Sequence, residues 1–186
     1  MRHLTIHHLT PERIGQAFAL IQAVMPGVGL EDWRRFAAPL VDSQARTQGG
    51  ILTVVSEQAY IAGLSIYRVE PDLEHGPALV ADHFTALDLF DRQAVVHALA
   101  GALEDLARER GCTAIHTNVR ERAAPRPDDQ SSLVSALCSR GHQIESLRLC
   151  KILVQPGRPR SEGKQVAVGA TGRHRRGPTC TPVGMA

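Results

Sequence analysis

Pro77–Val119 reads PALVADHFTALDLFDRQAVVHALAGALEDLARERGCTAIHTNV. Leu79 to Leu87 is short, mostly apolar and strand-like. After a brief turn, Val95, Leu99, Ala102, Leu103, Leu106 and Ala107 recur at helical spacing, with Glu104, Asp105, Arg108, Glu109 and Arg110 on the opposite side. Gly111 is a natural helix stop, and Ala114–Val119 again reads as strand. Strand, helix and strand in this order predict a βαβ unit. Its strand-to-helix turn is where such units present unpaired N–H groups to a phosphate-bearing ligand.

Upstream, His3–Leu9 alternates well enough for a first strand. Thr10-Pro11-Glu12 has the residues of a helix start, with Thr10 as cap and Ile14, Phe18, Ile21 and Met25 at helical spacing behind it. A second helix is predicted from about Leu30, with Trp33, Phe36, Ala37, Leu40 and Val41 as its apolar face. Gly49-Gly50 is expected to break the pattern before two strands, Ile51–Ser56 and Tyr60–Val69, joined as a hairpin. Pro71–Pro77 reads as a loop. Downstream, Arg120–Asp129 reads as a charged loop, Ser131–Arg140 as a last helix burying Leu133, Val134 and Leu137, and Leu147–Val154 as a final strand.

The 186 residues suffice for one domain with a real core, and aromatics at only 4% mean a core of Leu, Val, Ile and Ala. Residues 156–186 hold six Lys/Arg and one acid, so they carry +5 of a total +2 and leave −3 on residues 1–155. The same 31 residues contain no Leu, Ile, Phe, Tyr or Trp. Such composition buries too little apolar surface to offset its ordering entropy, so a disordered basic tail is expected over 156–186 and the folded domain over 1–155.

No apolar run reaches the roughly 18 residues of a membrane span, and the first residues lack the apolar centre of a secretory signal. Cys112, Cys138, Cys150 and Cys180 show no paired spacing and read as reduced thiols. A cytoplasmic protein with no membrane partner is therefore expected. His3, His7 and His8 lack acidic or Cys partners at usable spacing, so no metal site is expected. No Walker loop, Rossmann fingerprint or GxSxG is present.

The order strand, two helices, three strands, helix, strand, helix, strand resembles that of the GNAT superfamily of acyl-CoA-dependent N-acyltransferases. ALEDLARERGCTAIHTNV (Ala102–Val119) resembles the family's long helix, Gly stop and following strand, and LVSALCSRGH (Leu133–His142) its C-terminal helix and turn. The resemblance covers residues 3 to 154. It implies an α/β (α+β) fold, with a mixed, mostly antiparallel sheet flanked by helices. It also implies acetyl-CoA as co-substrate and a primary amine, small molecule or peptide, as acceptor. Nucleic acid is not favoured as a partner, and a homodimer is one assembly open to such a domain.

By the same resemblance, Leu87, Asp88 and Leu89 would meet the pantetheine arm, and Arg92, Gln93, Ala94, Val95 and Val96 the pyrophosphate. The family's turn, Arg/Gln-x-x-Gly-x-Gly/Ala, falls here on Asp91-Arg92-Gln93-Ala94-Val95-Val96. Asp91 stands where Arg or Gln is expected, Ala94 at the first Gly, and Val96 at the second small residue. The loop is thus expected to be degenerate, with a branched Val96 side chain at a site of close approach and Asp91 competing as a helix cap for the phosphate's donors. For proton transfer from the amine, the resemblance points to the strand before the turn. Asp82 and His83 are the candidates there, expected on opposite faces. The family's acid Tyr falls on Leu137, which cannot donate a proton. These departures leave a second reading open, a GNAT-like domain without catalysis that serves as a binding or regulatory module.

Overall fold

Residues 3–42, 48–87, 91–119 and 133–145 are described by the computed structural model, and all of them belong to one compact unit, Met1–Arg148. The chain order is β1 (Thr5–His8), a 3-10 turn (Pro11–Arg13), α1 (Ile14–Val24), α2 (Leu30–Val41), β2 (Gly49–Val55), β3 (Ile61–Asp72), β4 (Gly76–Ala86), α3 (Arg92–Glu109), β5 (Ala114–Val119) and α4 (Leu133–Cys138). The strands lie side by side in sequence order. β1 to β4 pair antiparallel, and β4 pairs parallel with β5. Helix α3 is the crossover of the predicted βαβ unit.

Two apolar layers sandwich the sheet. On one face, Val95, Val96, Leu99 and Leu103 of α3 and Leu133, Ala136 and Leu137 of α4 pack on Leu52, Val54, Leu79, Ala81 and Phe84. On the other, Ile14, Ala17, Ile21, Trp33 and Ala37 of α1 and α2 pack on Ile51, Val55, Leu64 and Ile66. β2 is buried from end to end, because its even and odd residues serve opposite layers. The Trp33 indole N–H donates to the Ile14 carbonyl at 2.8 Å and ties α2 to α1.

Several local expectations are corrected. β2 starts at Gly49-Gly50, opposite Arg68 and Tyr67, and not after it at Ile51. The pair is needed for close approach, since a Cβ on Gly50 would come within 2.8 Å of the Tyr67 hydroxyl. That ring is 1% exposed, so Tyr67 is a core residue. Pro71–Pro77 is a hairpin rather than a loop. The Asp72 carboxylate accepts the N–H groups of Glu74 (2.9 Å) and His75 (2.8 Å), nucleating the turn. Thr10 makes no side-chain cap to the helix, its hydroxyl bonding Glu12 instead, and the first turn is 3-10. In α4 it is Ala136, not Val134, that joins Leu133 and Leu137 in the core. The loop at 120–129, the strand at 147–154, the boundary near 155 and the tail at 156–186 lie outside the described residues, as do Asp88 and Leu89 of the proposed site.

Candidate functional site

β4 runs regularly from Gly76 to Ala81 and then slips. Its register against β5 shifts between Ala81 and Phe84, and β3 shifts between Leu64 and Ile66 alongside. His83 sits at the slip with φ 52, a left-handed conformation that costs a non-glycine residue about 1–2 kcal/mol. Two hydroxyls occupy carbonyls of the bulge. Ser65 Oγ donates to the Asp82 carbonyl at 3.2 Å and Thr85 Oγ1 to that of His83 at 3.0 Å.

This bulge overturns the expectation that Asp82 and His83 face opposite ways. Ala81 and Phe84 both belong to the α3 layer, so one residue too many lies between them. Asp82 meets Arg68, two residues along β3 from Ile66 of the α1/α2 layer, and His83 lies edge-on to Phe36 of α2 at 6.4 Å. Both side chains therefore serve the α1/α2 side of the sheet. Phe36, expected in the apolar face of α2, is 49% exposed there.

The Asp82 carboxylate bonds the Arg68 guanidinium and accepts Asn118 Nδ2 at 2.7 Å. Burial alone pushes its pKa up. The hydrogen bonds from Arg68 and Asn118 outweigh that, with the charges of Arg68 and His83 adding to them, and hold Asp82 below the usual carboxylate range. Asp82 is thus a fixed anion beside His83, better suited to orienting and stabilising positive charge than to accepting a proton. Arg68 and Asn118 enter the site only through cross-strand register. The alternation Arg68, Glu70, Asp72 along β3 is a signal in the sequence for Arg68 alone.

Just beyond the bulge lies the C-terminal end of β4. β5 reaches Val119 opposite Phe84, so among the described residues Thr85 and Ala86 have no partner on that side. The Leu87 N–H goes the other way, to the Ala62 carbonyl on β3 at 2.8 Å, so it is not turned towards this edge, where the resemblance had it meet a pantetheine arm. The outward-facing acceptor of this edge is the Ala86 carbonyl, and Arg92 Nε donates to it at 3.1 Å.

Helix α3 opens at Asp91, whose carboxylate caps the Ala94 N–H at 2.9 Å, while the Val95 N–H leans on the Asp91 carbonyl at 3.4 Å. Gln93 is exposed on the first turn, and its N–H has no acceptor among the described residues. Val95 and Val96 are 0% and 1% exposed, with side chains turned into the α3 layer. Val96 therefore does not block the helix mouth, contrary to expectation. The exposed donors there come from Arg92 and Gln93. A groove of about 480 Å³ lies apart from all of this, between β1 and α3 beside Ile6, Leu52 and Leu106, and is lined by neither Asp82 nor His83.

An antiparallel sheet closed by one parallel pair, with a bulged β4 and a crossover helix between β4 and β5, makes a definite backbone course. Solved structures resemble it in overall backbone. An aminoglycoside antibiotic 6'-N-acetyltransferase from Acinetobacter baumannii superposes with a TM-score of 0.63 at 14% identity, over 82% of this chain and 100% of that one. The chain has the GNAT fold. An aminoglycoside N-acetyltransferase in complex with CoA gives a TM-score of 0.61 at 11% identity, over 84% of this chain and 97% of that one. Glucosamine-6-phosphate N-acetyltransferase from Arabidopsis thaliana gives 0.55 at 18% identity, over 81% and 98%. No protein-family model and no curated protein sequence matches the chain. The likeness is thus one of backbone alone, to proteins whose own names give substrates as different as an aminoglycoside and a sugar phosphate. No helix among the described residues is long and apolar enough to cross a membrane.

Proposed function

We propose that this chain is an acyl-CoA-dependent N-acyltransferase, using acetyl-CoA to acylate a primary amine on a small molecule or peptide. The observation that carries the reading is the β4 bulge, which brings Asp82 and His83 to one face where regular alternation would have separated them. In this reading acetyl-CoA lies along the edge of β4 at Thr85 and Ala86, unpaired among the described residues, with its thioester near the bulge and its pyrophosphate at Arg92 and Gln93. The neutral amine nitrogen attacks the thioester carbonyl. The C–N bond forms, the C–S bond breaks, and the amine's proton passes to His83, directly or through a water. Solvent protonates the departing thiolate. The Asp82 anion stabilises the imidazolium that results. Phe36 and α2 would border the acceptor's approach. Free thiols at Cys112 and Cys138 suit the cytoplasmic setting proposed for it.

A second reading has its own support. The Ala94 N–H is held by Asp91 and the Ala86 carbonyl by Arg92, so groups that a CoA would use are already engaged. That arrangement suits a non-catalytic binding module. Thermal unfolding with and without acetyl-CoA, paired with CoA-thiol release over a panel of primary amines, separates the two. An acyltransferase gains about 2.7 kcal/mol at a hundred times Kd and releases thiol with a suitable amine. An unchanged melting curve at millimolar acetyl-CoA would overturn the enzyme reading.

A further inference from the structure

The β3–β4 turn and the middle of β5 bring together three side chains that the proposed transfer does not use. Asp72 ends β3, His75 sits in the turn, and His116 lies on β5 opposite Val80. One ligand-type atom from each lies within 4.8 Å of the other two. We propose that Asp72, His75 and His116 form a binding site for one divalent transition-metal ion of the zinc class.

Both imidazoles turn a nitrogen towards the same carboxylate. His75 Nδ1 is 3.3 Å from Asp72 Oδ1, and His116 Nδ1 is 4.0 Å from Oδ2. Despite this closeness, His75 Nδ1 is shielded from solvent and makes no hydrogen bond of acceptable geometry. A buried ring nitrogen aimed at an anion without bonding it is poorly served by direct pairing, and an ion between them would serve both. Tetrahedral zinc, with bonds of about 2.0–2.2 Å, sets its ligand atoms about 3.4 Å apart, so small side-chain rotations close the observed spacing. Two imidazoles and one carboxylate match zinc, cobalt or nickel better than calcium or magnesium, which prefer all-oxygen shells.

The cluster is held in place before any ion arrives. Asp72 Oδ1 accepts two backbone N–H groups of its own turn, which fixes the carboxylate and leaves Oδ2 towards His116. Thr113 lashes the turn to the start of β5. Its N–H donates to the Pro77 carbonyl at 2.8 Å, and its hydroxyl bonds the His75 carbonyl. His75 and His116 are thereby kept edge to face, with ring centroids 5.5 Å apart. The three side chains are about one-third exposed, so an ion can enter, and a fourth position is left for water or a ligand. In sequence, the pair Asp72-x-x-His75 lies 41 residues from His116, which is why no local spacing announces the site.

The test is titration of the chelator-stripped full chain with Zn²⁺ alone by calorimetry, and with Co²⁺ alone by visible absorption. The expected result is one equivalent per chain and a Co²⁺ d–d spectrum of a site with nitrogen ligands. In His75→Ala and His116→Gln, affinity should fall roughly tenfold or more, with folding checked by circular dichroism. The His3→Ala/His7→Ala variant should bind as the parent does. No saturable binding, or binding that persists in a folded His75→Ala/His116→Gln double variant, would overturn the proposal. Neither result depends on acetyl-CoA, so the acyltransferase reading stands or falls separately.

Discussion

Arg92 Nε lies 3.1 Å from the carbonyl oxygen of Ala86, so the first residue of α3 reaches back to the edge of the strand that precedes it. Arg92 is half-buried there, and in the acyltransferase reading it lies where an acyl-CoA's pantetheine gives way to its pyrophosphate. A ligand amide could replace it on Ala86 and release the guanidinium to the diphosphate. Under the acyltransferase reading, Arg92→Ala should weaken acetyl-CoA about tenfold by calorimetry, the value of one charge-assisted hydrogen bond. The loss should shrink at high salt. Tighter binding in this variant would mean that Arg92 is a plug, and would favour the binding-module reading.

Asp91 gives the opposite pattern. Its carboxylate caps α3, so Asp91→Ala should cost about 1 kcal/mol of stability in denaturant unfolding. Removing the negative charge from the helix mouth should tighten acetyl-CoA about twofold to fivefold. Asp91→Asn separates these effects, because asparagine caps as well as aspartate. It should keep the stability and still tighten binding. If affinity falls in both variants, the pyrophosphate does not sit at this helix mouth.

The βαβ unit was legible because periodicity and composition agreed over Leu79–Val119, and the structure starts and stops β5 at the predicted residues. The cap at Asp91 was equally legible, since capping depends on neighbours within three residues. What stayed hidden depends on contacts far apart in the chain. The slip at Asp82 and His83 needs β3 and β5 in place before an extra residue exists to be counted. Gly49-Gly50 signals a break by propensity, yet pairing with Arg68 and Tyr67 makes the same two residues strand. The motif position of Val96 says nothing of where its side chain goes, and only the packing of α3 on the sheet turns it inward.

The left-handed backbone at His83 yields a test that separates a functional role from a structural one. Glycine accepts φ 52 without strain and alanine does not, so His83→Gly should be about 1 kcal/mol more stable than His83→Ala. If the imidazole takes the amine's proton, both variants should lose turnover by about 100-fold or more, regardless of stability. Thermal unfolding and CoA-thiol release on the same preparations provide the comparison. Activity that follows stability, with His83→Gly active and His83→Ala not, would reduce His83 to a residue that shapes the bulge.

Asp82 carries the pH prediction. Its pKa lies below the ordinary carboxylate value in the folded chain, so the unfolded state binds the proton more readily. The stability this contributes is complete above the unfolded pKa of about 3.9, and is lost as pH falls through the lower folded value. Asp82→Asn removes the charge at every pH and leaves Arg68 facing a neutral amide. At neutral pH the variant should be less stable by about 1–3 kcal/mol, the range for a hydrogen-bonded charge that loses its partner. As pH drops below about 3.9 the unfolded parent takes up the proton first and the folded parent follows at its lower value, so the two stabilities should converge. All other carboxylates titrate in both proteins, so the difference between urea midpoints measured across a pH series isolates this one group. Parallel curves with a constant gap would show that the Arg68–Asp82–Asn118 contacts do not depend on the charge of Asp82, and the anion assigned to stabilise His83 would lose its physical basis.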